Sequence, residues 1–118
     1  MSETEIRETV DATFQRDVLD VAGRPILVEY WAEWCQPCKL QQPIISNVMV
    51  HYGDKLSVFR LDVDNNPQTT QRYGIKGIPT LIVYRDGKEV ERVVGVVSKD
   101  ATIKMIDKYA GELPSATD

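Results

Sequence analysis

The chain has 118 residues, a formal net charge of −4 and 42% hydrophobic residues, enough for one compact domain and without the basic cluster that would make nucleic acid a partner. No run reaches the roughly 20 apolar residues of a membrane span. The acidic opening "MSETEIRETV" has neither the apolar core of a secretory signal nor the arginine-rich character of a transit peptide, which points to a cytoplasmic, reducing compartment or to a processed organellar form.

Residues 5–10, "EIRETV", alternate weakly and predict a short edge strand. In "DATFQRDVLDVAG", 11–23, Phe14, Val18 and Leu19 share a helical face, Asp11 stands where a cap belongs and Gly23 where a helix stops. "PILVEYWA", 25–32, is a nearly continuous apolar run, the pattern of a central strand covered on both faces. Helical spacing resumes from Cys35 to Tyr52, with Pro43 inside to kink it and Gly53 to end it. "KLSVFRLDVD", 55–64, predicts a further strand, and "NPQTTQRYG", 66–74, a short helix with Asn66 as cap and Pro67 in its first turn.

"TLIVYRDGKEVERVVG", 80–95, reads as a hairpin turning at Asp86-Gly87, a strong type I′ signal. "SKDATIKMIDKYAG", 98–111, is an amphipathic helix capped by Ser98 and stopped by Gly111. The polar tail, 112–118, is expected to fray. The order β-α-β-α-β-α-β-β-α gives an α/β class: a single domain over 1–111 with a central mixed five-stranded sheet flanked by about four helices.

Cys35 and Cys38 are the only cysteines. A structural disulfide closing so short a loop would contribute only about 2 kcal/mol, against nearly 5 for a long one. A structural zinc site needs four ligands, and His51 is the only other soft candidate. Inert buried thiols fit poorly with a position just after a strand, beside proline and polar residues, where the Cys35 sulfur is expected at the surface.

Redox chemistry accounts for more. In the first turn of a helix, Cys35 would face unsatisfied N–H groups and the positive end of the helix dipole, which takes such thiols from about 8.5 to about 7. The gain in attack rate is only a few fold, because lower basicity also lowers nucleophilicity. The second cysteine matters more. Residues three apart share a helix face, so Cys38 is placed to attack a mixed disulfide on Cys35 with high effective molarity.

Glu29, alone among apolar neighbours in the preceding strand, is then a candidate proton acceptor for Cys38, given a pKa held near neutrality by burial. His51 reads as a solvated partner of a helix C-terminus rather than a base. Asp62 and Asp64 lack the further oxygen ligands of a metal site and read as a solvated loop. No metal is expected.

"WAEWCQPCK", 31–39, together with "GIPT", 77–80, and "VGVVSK", 94–99, resembles the thioredoxin family, with matching element order over roughly residues 4–111. The resemblance implies a thioredoxin fold and a protein-disulfide reductase, with no bound cofactor beyond the redox-active Cys35–Cys38 pair. It implies disulfide-containing substrate proteins, a thioredoxin reductase drawing on NADPH or ferredoxin, and a monomer. It also implies a cis Pro79, with Ile78 before it offering backbone groups to an extended substrate. Trp34, Gln36, Pro37, Ile78, Val94 and Gly95 would form a shallow apolar docking rim, with Trp31 supporting the core.

Three residues depart from the family pattern: Gln36 for glycine, Glu29 for aspartate and Arg60 for lysine. Because arginine pairs with carboxylates through a planar fork, Arg60 is expected to pair with Glu29 and lower its pKa, or else to extend toward solvent. Two other functions remain open. An oxidase or isomerase would have a potential near −120 to −180 mV rather than about −270 mV. A binding module would keep its role without either cysteine.

Overall fold

The computed structural model describes residues 6–110. Five strands form one sheet in the order β1-β3-β2-β4-β5: β1 Arg7–Glu8, β2 Pro25–Trp31, β3 Ser57–Asp62, β4 Thr80–Arg85 and β5 Lys88–Val94. The first three are parallel. β4 runs antiparallel to β2, and β5 antiparallel to β4. Three α-helices accompany the sheet: α1 Gln36–Tyr52, α2 Pro67–Arg72 and α3 Lys99–Ala110. A π-helical turn, Gln15–Leu19, and a 3-10 turn, Gly53–Lys55, complete the order. The expected stop at Gly111 and the tail 112–118 lie outside the described residues.

The apolar runs explain which strands are central. β2 is buried along its first six residues and β4 along its first five, so both strands need helices on each side. Side chains alternate across the pleat. Ile26, Val28 and Tyr30 join Phe59, Leu61, Ile82 and Tyr84 on one face, covered by Phe14 and Val18. Leu27, Val58, Leu81 and Val83 lie on the other, covered by Ile45 and Val48 of α1 and Met105 and Ile106 of α3. The same alternation puts Glu29 and its register neighbour Arg60 on the α1 and α3 side. On the opposite face the buried Tyr30 and Tyr84 hydroxyls satisfy one another at 2.6 Å.

The hairpin turns where expected, with Asp86 at φ +53° and Gly87 at φ +84°, the two positive values that a type I′ turn requires. Ser98 caps α3 by accepting from the Ala101 N–H at 3.1 Å.

The segment 11–23 differs from expectation, since it holds only a short helical turn, π-helical over Gln15–Leu19. Asp11 does not cap its own segment. Its carboxylate accepts from the Gln68 and Thr69 N–H groups at 3.1 and 2.8 Å, the free donors of the first turn of α2. Asn66, the expected cap there, uses its side chain elsewhere: its Oδ1 accepts from the Asp11 N–H at 2.8 Å and its Nδ2 donates to the Asp62 carbonyl at 3.0 Å. Burial works to raise the Asp11 pKa, but the Thr69 and Gln68 hydrogen bonds outweigh it and hold the carboxyl below its ordinary range.

Candidate active site

The site forms where β2 ends and α1 begins. Cys35 has extended backbone angles and is the N-cap of α1. Pro37 sits in the first turn, where its missing N–H costs nothing because the first helical donors have no intrahelical acceptor. Cys35 and Cys38 are joined by a disulfide with a Cα–Cα separation of 5.3 Å. The Cys38 backbone N–H donates to Cys35 Sγ at 3.2 Å, so a helix N-terminal donor points at the first sulfur.

Cys38 is fully buried, and Cys35 retains only 3% of its surface. Both cysteines are thus buried in this oxidised state, and the openly exposed Cys35 sulfur expected from the sequence is not present. The two cysteines form a small apolar cluster with Ala32, against which Trp31, Val63 and Ile78 pack.

Three segments surround the pair. Trp34 stands out with 68% of its surface exposed, and its indole N–H donates to Asp64 Oδ2 at 2.8 Å. Asp64 was expected to be merely solvated. Its backbone N–H is in turn held by Asp62 Oδ1 at 2.9 Å, so the acidic loop orients a rim aromatic. The Ile78–Pro79 peptide bond is cis. Ile78 is half-buried and Pro79 buried, which leaves Pro79 to shape the backbone rather than to present a ring. The Gly95 N–H donates to the Pro79 carbonyl at 2.8 Å. Gly95 has φ +98°, a conformation that a side chain would strain. Val94, beside it, is 61% exposed. Gln36 and Pro37 are exposed on the first turn of α1. Ile78 packs on the cysteine pair, Trp34, Gln36 and Pro37 adjoin it in the chain, and the Gly95–Pro79 hydrogen bond ties the Val94–Gly95 turn to the cis-proline loop.

Glu29 is fully buried and neither carboxylate oxygen has a hydrogen-bond partner. Loss of solvation raises its pKa from 4.5 to about 8, with the Arg60 charge opposing that rise. The expected fork between Arg60 and Glu29 is not formed. The Arg60 guanidinium instead pairs with Glu8 of the edge strand at 3.1 Å and lies over the Trp31 ring, 4.1 Å from its centroid. At this half-exposed position a solvated carboxylate and an aromatic face hold the cation without the cost of burying it. Arg60 thus acts on Glu29 only through space, and the Glu29 pKa is raised rather than lowered.

Among the described residues no group of three or more His, Cys, Asp or Glu is placed to hold a metal ion. His51 is exposed in the last turn of α1, edge-on to Tyr52. No helix among the described residues is long and apolar enough to cross a membrane.

A disulfide across one helical turn, set at the N-cap and ringed by an apolar rim, defines a thiol–disulfide oxidoreductase. The family model described as Thioredoxin matches residues 5–108. The chain is 44% identical to the thioredoxin of Pseudomonas aeruginosa over 107 residues, covering 91% of this chain and 97% of that protein. It is 41% identical to the thioredoxin of a Synechocystis strain, covering 84% and 92%, and 39% identical to that of Mycobacterium tuberculosis, covering 96% and 99%. The chain belongs to the thioredoxin family. It is accordingly a protein-disulfide reductase that carries electrons on the Cys35–Cys38 pair without a bound cofactor, and the family implies a reductase partner and disulfide-containing substrates.

Proposed function

We propose that Cys35 is the attacking thiol, Cys38 the resolving thiol and Glu29 the group that takes the Cys38 proton. The observation that carries this reading is the Cys38 N–H aimed at Cys35 Sγ. In the reduced state the same donor favours the Cys35 thiolate. The thiolate attacks one sulfur of a substrate disulfide, forming a Cys35–substrate disulfide and releasing the other substrate sulfur as a thiolate. Cys38 then gives its proton to Glu29 and attacks Cys35 Sγ, expelling the second substrate thiolate. Two electrons have passed to the substrate, and the protein is left with the Cys35–Cys38 disulfide.

Burial raises the Glu29 pKa to about 8, which makes it a much stronger proton acceptor than an ordinary carboxylate. About one molecule in ten has Glu29 ionised at pH 7, ready to accept. Arg60 tunes that fraction from a distance. Replacing it by methionine removes a charge that lowers the Glu29 pKa, so an Arg60→Met variant should titrate Glu29 at higher pH by carboxylate NMR. An unchanged titration would remove Arg60 from the site.

Trp34, Gln36, Pro37, Ile78, Pro79, Val94 and Gly95 are assigned to substrate docking, with Ile78 supplying backbone groups to an extended segment. A side chain at Gln36 enlarges that surface beside the disulfide. For Val94→Ser the KM for a short disulfide-bearing peptide should rise several-fold, with little change toward a small aromatic disulfide. Equal KM values for the peptide in variant and parent would place docking elsewhere.

The electrons are returned by a thioredoxin reductase dependent on NADPH or ferredoxin. The protein works as a monomer in the cytoplasm or in a comparable reducing compartment, where thiols persist. This part of the reading is supported by family membership.

A further inference from the structure

The buried stripe of α1 is Cys38, Gln41, Ile45 and Val48. Gln41 is the odd member, a fully buried amide in a row otherwise fit for a core. A buried amide is costly unless its donor and acceptor are both engaged, and here both are, by one residue. Gln41 Nε2 donates to the Val97 carbonyl at 3.0 Å, and Gln41 Oε1 accepts from the Val97 N–H at 2.8 Å. Two parallel bonds fix the orientation of the Val97 peptide groups as well as their distance, as a pair of backbone bonds does between strands.

We propose that Gln41 is a positioning residue for substrate docking, a two-point clamp that sets the Val94–Val96 rim against the Cys38 turn of α1. This rests on the docking role given above to that rim. Gln41 lies one helical turn after Cys38 and on the same face. Val97 lies two residues after Gly95, whose N–H holds the Pro79 carbonyl. The active-site helix, the rim loop and the cis-proline loop are thereby joined in one sequence of hydrogen bonds. Val94 and Val96, both exposed, are the side chains whose placement the clamp controls. An apolar residue of similar volume would fill the same space and leave the Val97 N–H and carbonyl unheld. With both groups occupied by Gln41, an incoming peptide must find its backbone partners at the Ile78 side of the cleft.

The decisive comparison is Gln41→Met, of similar volume without the amide, against the parent protein with two substrates: a short disulfide-bearing peptide and a small aromatic disulfide. Loss of a pre-set rim should raise KM for the peptide about tenfold with kcat little changed, because the rim must then be ordered at each binding event. Turnover of the small disulfide should not move. Gln41→Leu likewise leaves the Val97 N–H and carbonyl without side-chain partners, and should show the same split. Amide exchange on the parent protein gives a readout that needs no variant: the Val97 N–H should exchange slowly, and faster in either variant. Equal losses on both substrates would overturn the proposal, since Gln41 would then be supporting the dithiol itself. So would a fast-exchanging Val97 amide in the parent, or an unchanged peptide KM. If Val94→Ser raises the peptide KM while Gln41→Met does not, the clamp fails and the docking rim stands. If neither variant moves it, both fail.

Discussion

A Cys38→Ser variant should stop half-way through its reaction, holding a disulfide-bearing substrate as a stable mixed disulfide on Cys35. Its turnover should fall by at least about 1,000-fold, because a resolving thiol held one helical turn from its target is replaced by thiols at solution concentration. The geometry behind the expectation is direct. The two cysteines already bond across 5.3 Å between Cα atoms, and Cys38, fully buried, can reach Cys35 Sγ far more readily than any outside thiol. Serine fills the same place without a nucleophile able to displace sulfur. Mass spectrometry of the trapped species should find substrate on Cys35 alone. A variant that turns over normally, or that carries substrate on neither residue, would reverse or abolish the assigned roles.

Glu29→Leu is expected to stabilise the protein and slow it at the same time. Folding raises the Glu29 pKa from 4.5 to about 8. Between these values the folded chain binds more protons than the unfolded one, so stability falls as pH rises through that window and the loss is complete above it. At about 1.4 kcal/mol per pH unit, the full penalty approaches 5 kcal/mol. Leucine occupies the same interior without a charge to desolvate. Denaturant unfolding at pH 8 should therefore show the variant more stable by about 3 kcal/mol or more, allowing for imperfect repacking. At pH 5 the difference should be much smaller. Turnover at pH 7 should drop by about 100-fold, the lower end for loss of a positioned general base. A stability difference independent of pH would contradict the protonation behaviour assigned to Glu29. Unchanged turnover would remove its catalytic role.

The Glu29 expectation shows how a buried group can lower stability while serving chemistry. The sequence marked Glu29 clearly, because a lone carboxylate inside "PILVEYWA" is conspicuous in a strand covered on both faces. It could not show where the Arg60 guanidinium goes. Arg60 and Glu29 are register neighbours across β2 and β3, but the contact that wins is with Glu8, 52 residues away, together with the Trp31 ring.

The strands, the hairpin turn and the Ser98 cap were legible because each rests on local patterns: apolar runs, two turn residues, one hydroxyl. The segment 11–23 was misread for the opposite reason. Asp11 resembles a local cap, yet its carboxylate serves a helix 57 and 58 residues further on. Gln41 gave a usable sign, an amide in an apolar stripe, but its partner lies 56 residues away. The position of Cys35 after a strand suggested an open sulfur. Packing of Trp31, Val63 and Ile78 around the pair leaves only a small opening, which a strand-to-helix boundary in the sequence does not reveal.

The most direct test is the alkylation of the fully reduced protein across a pH series, read at each cysteine by peptide mass spectrometry. Cys35 should react first, at a lower pH than an ordinary thiol because its thiolate is favoured at the helix N-terminus, while Cys38 stays unmodified until the protein is unfolded. Two thiols that both remain inert until unfolding, or a Cys38 that reacts ahead of Cys35, would contradict the pairing of a reachable attacker with a buried resolver.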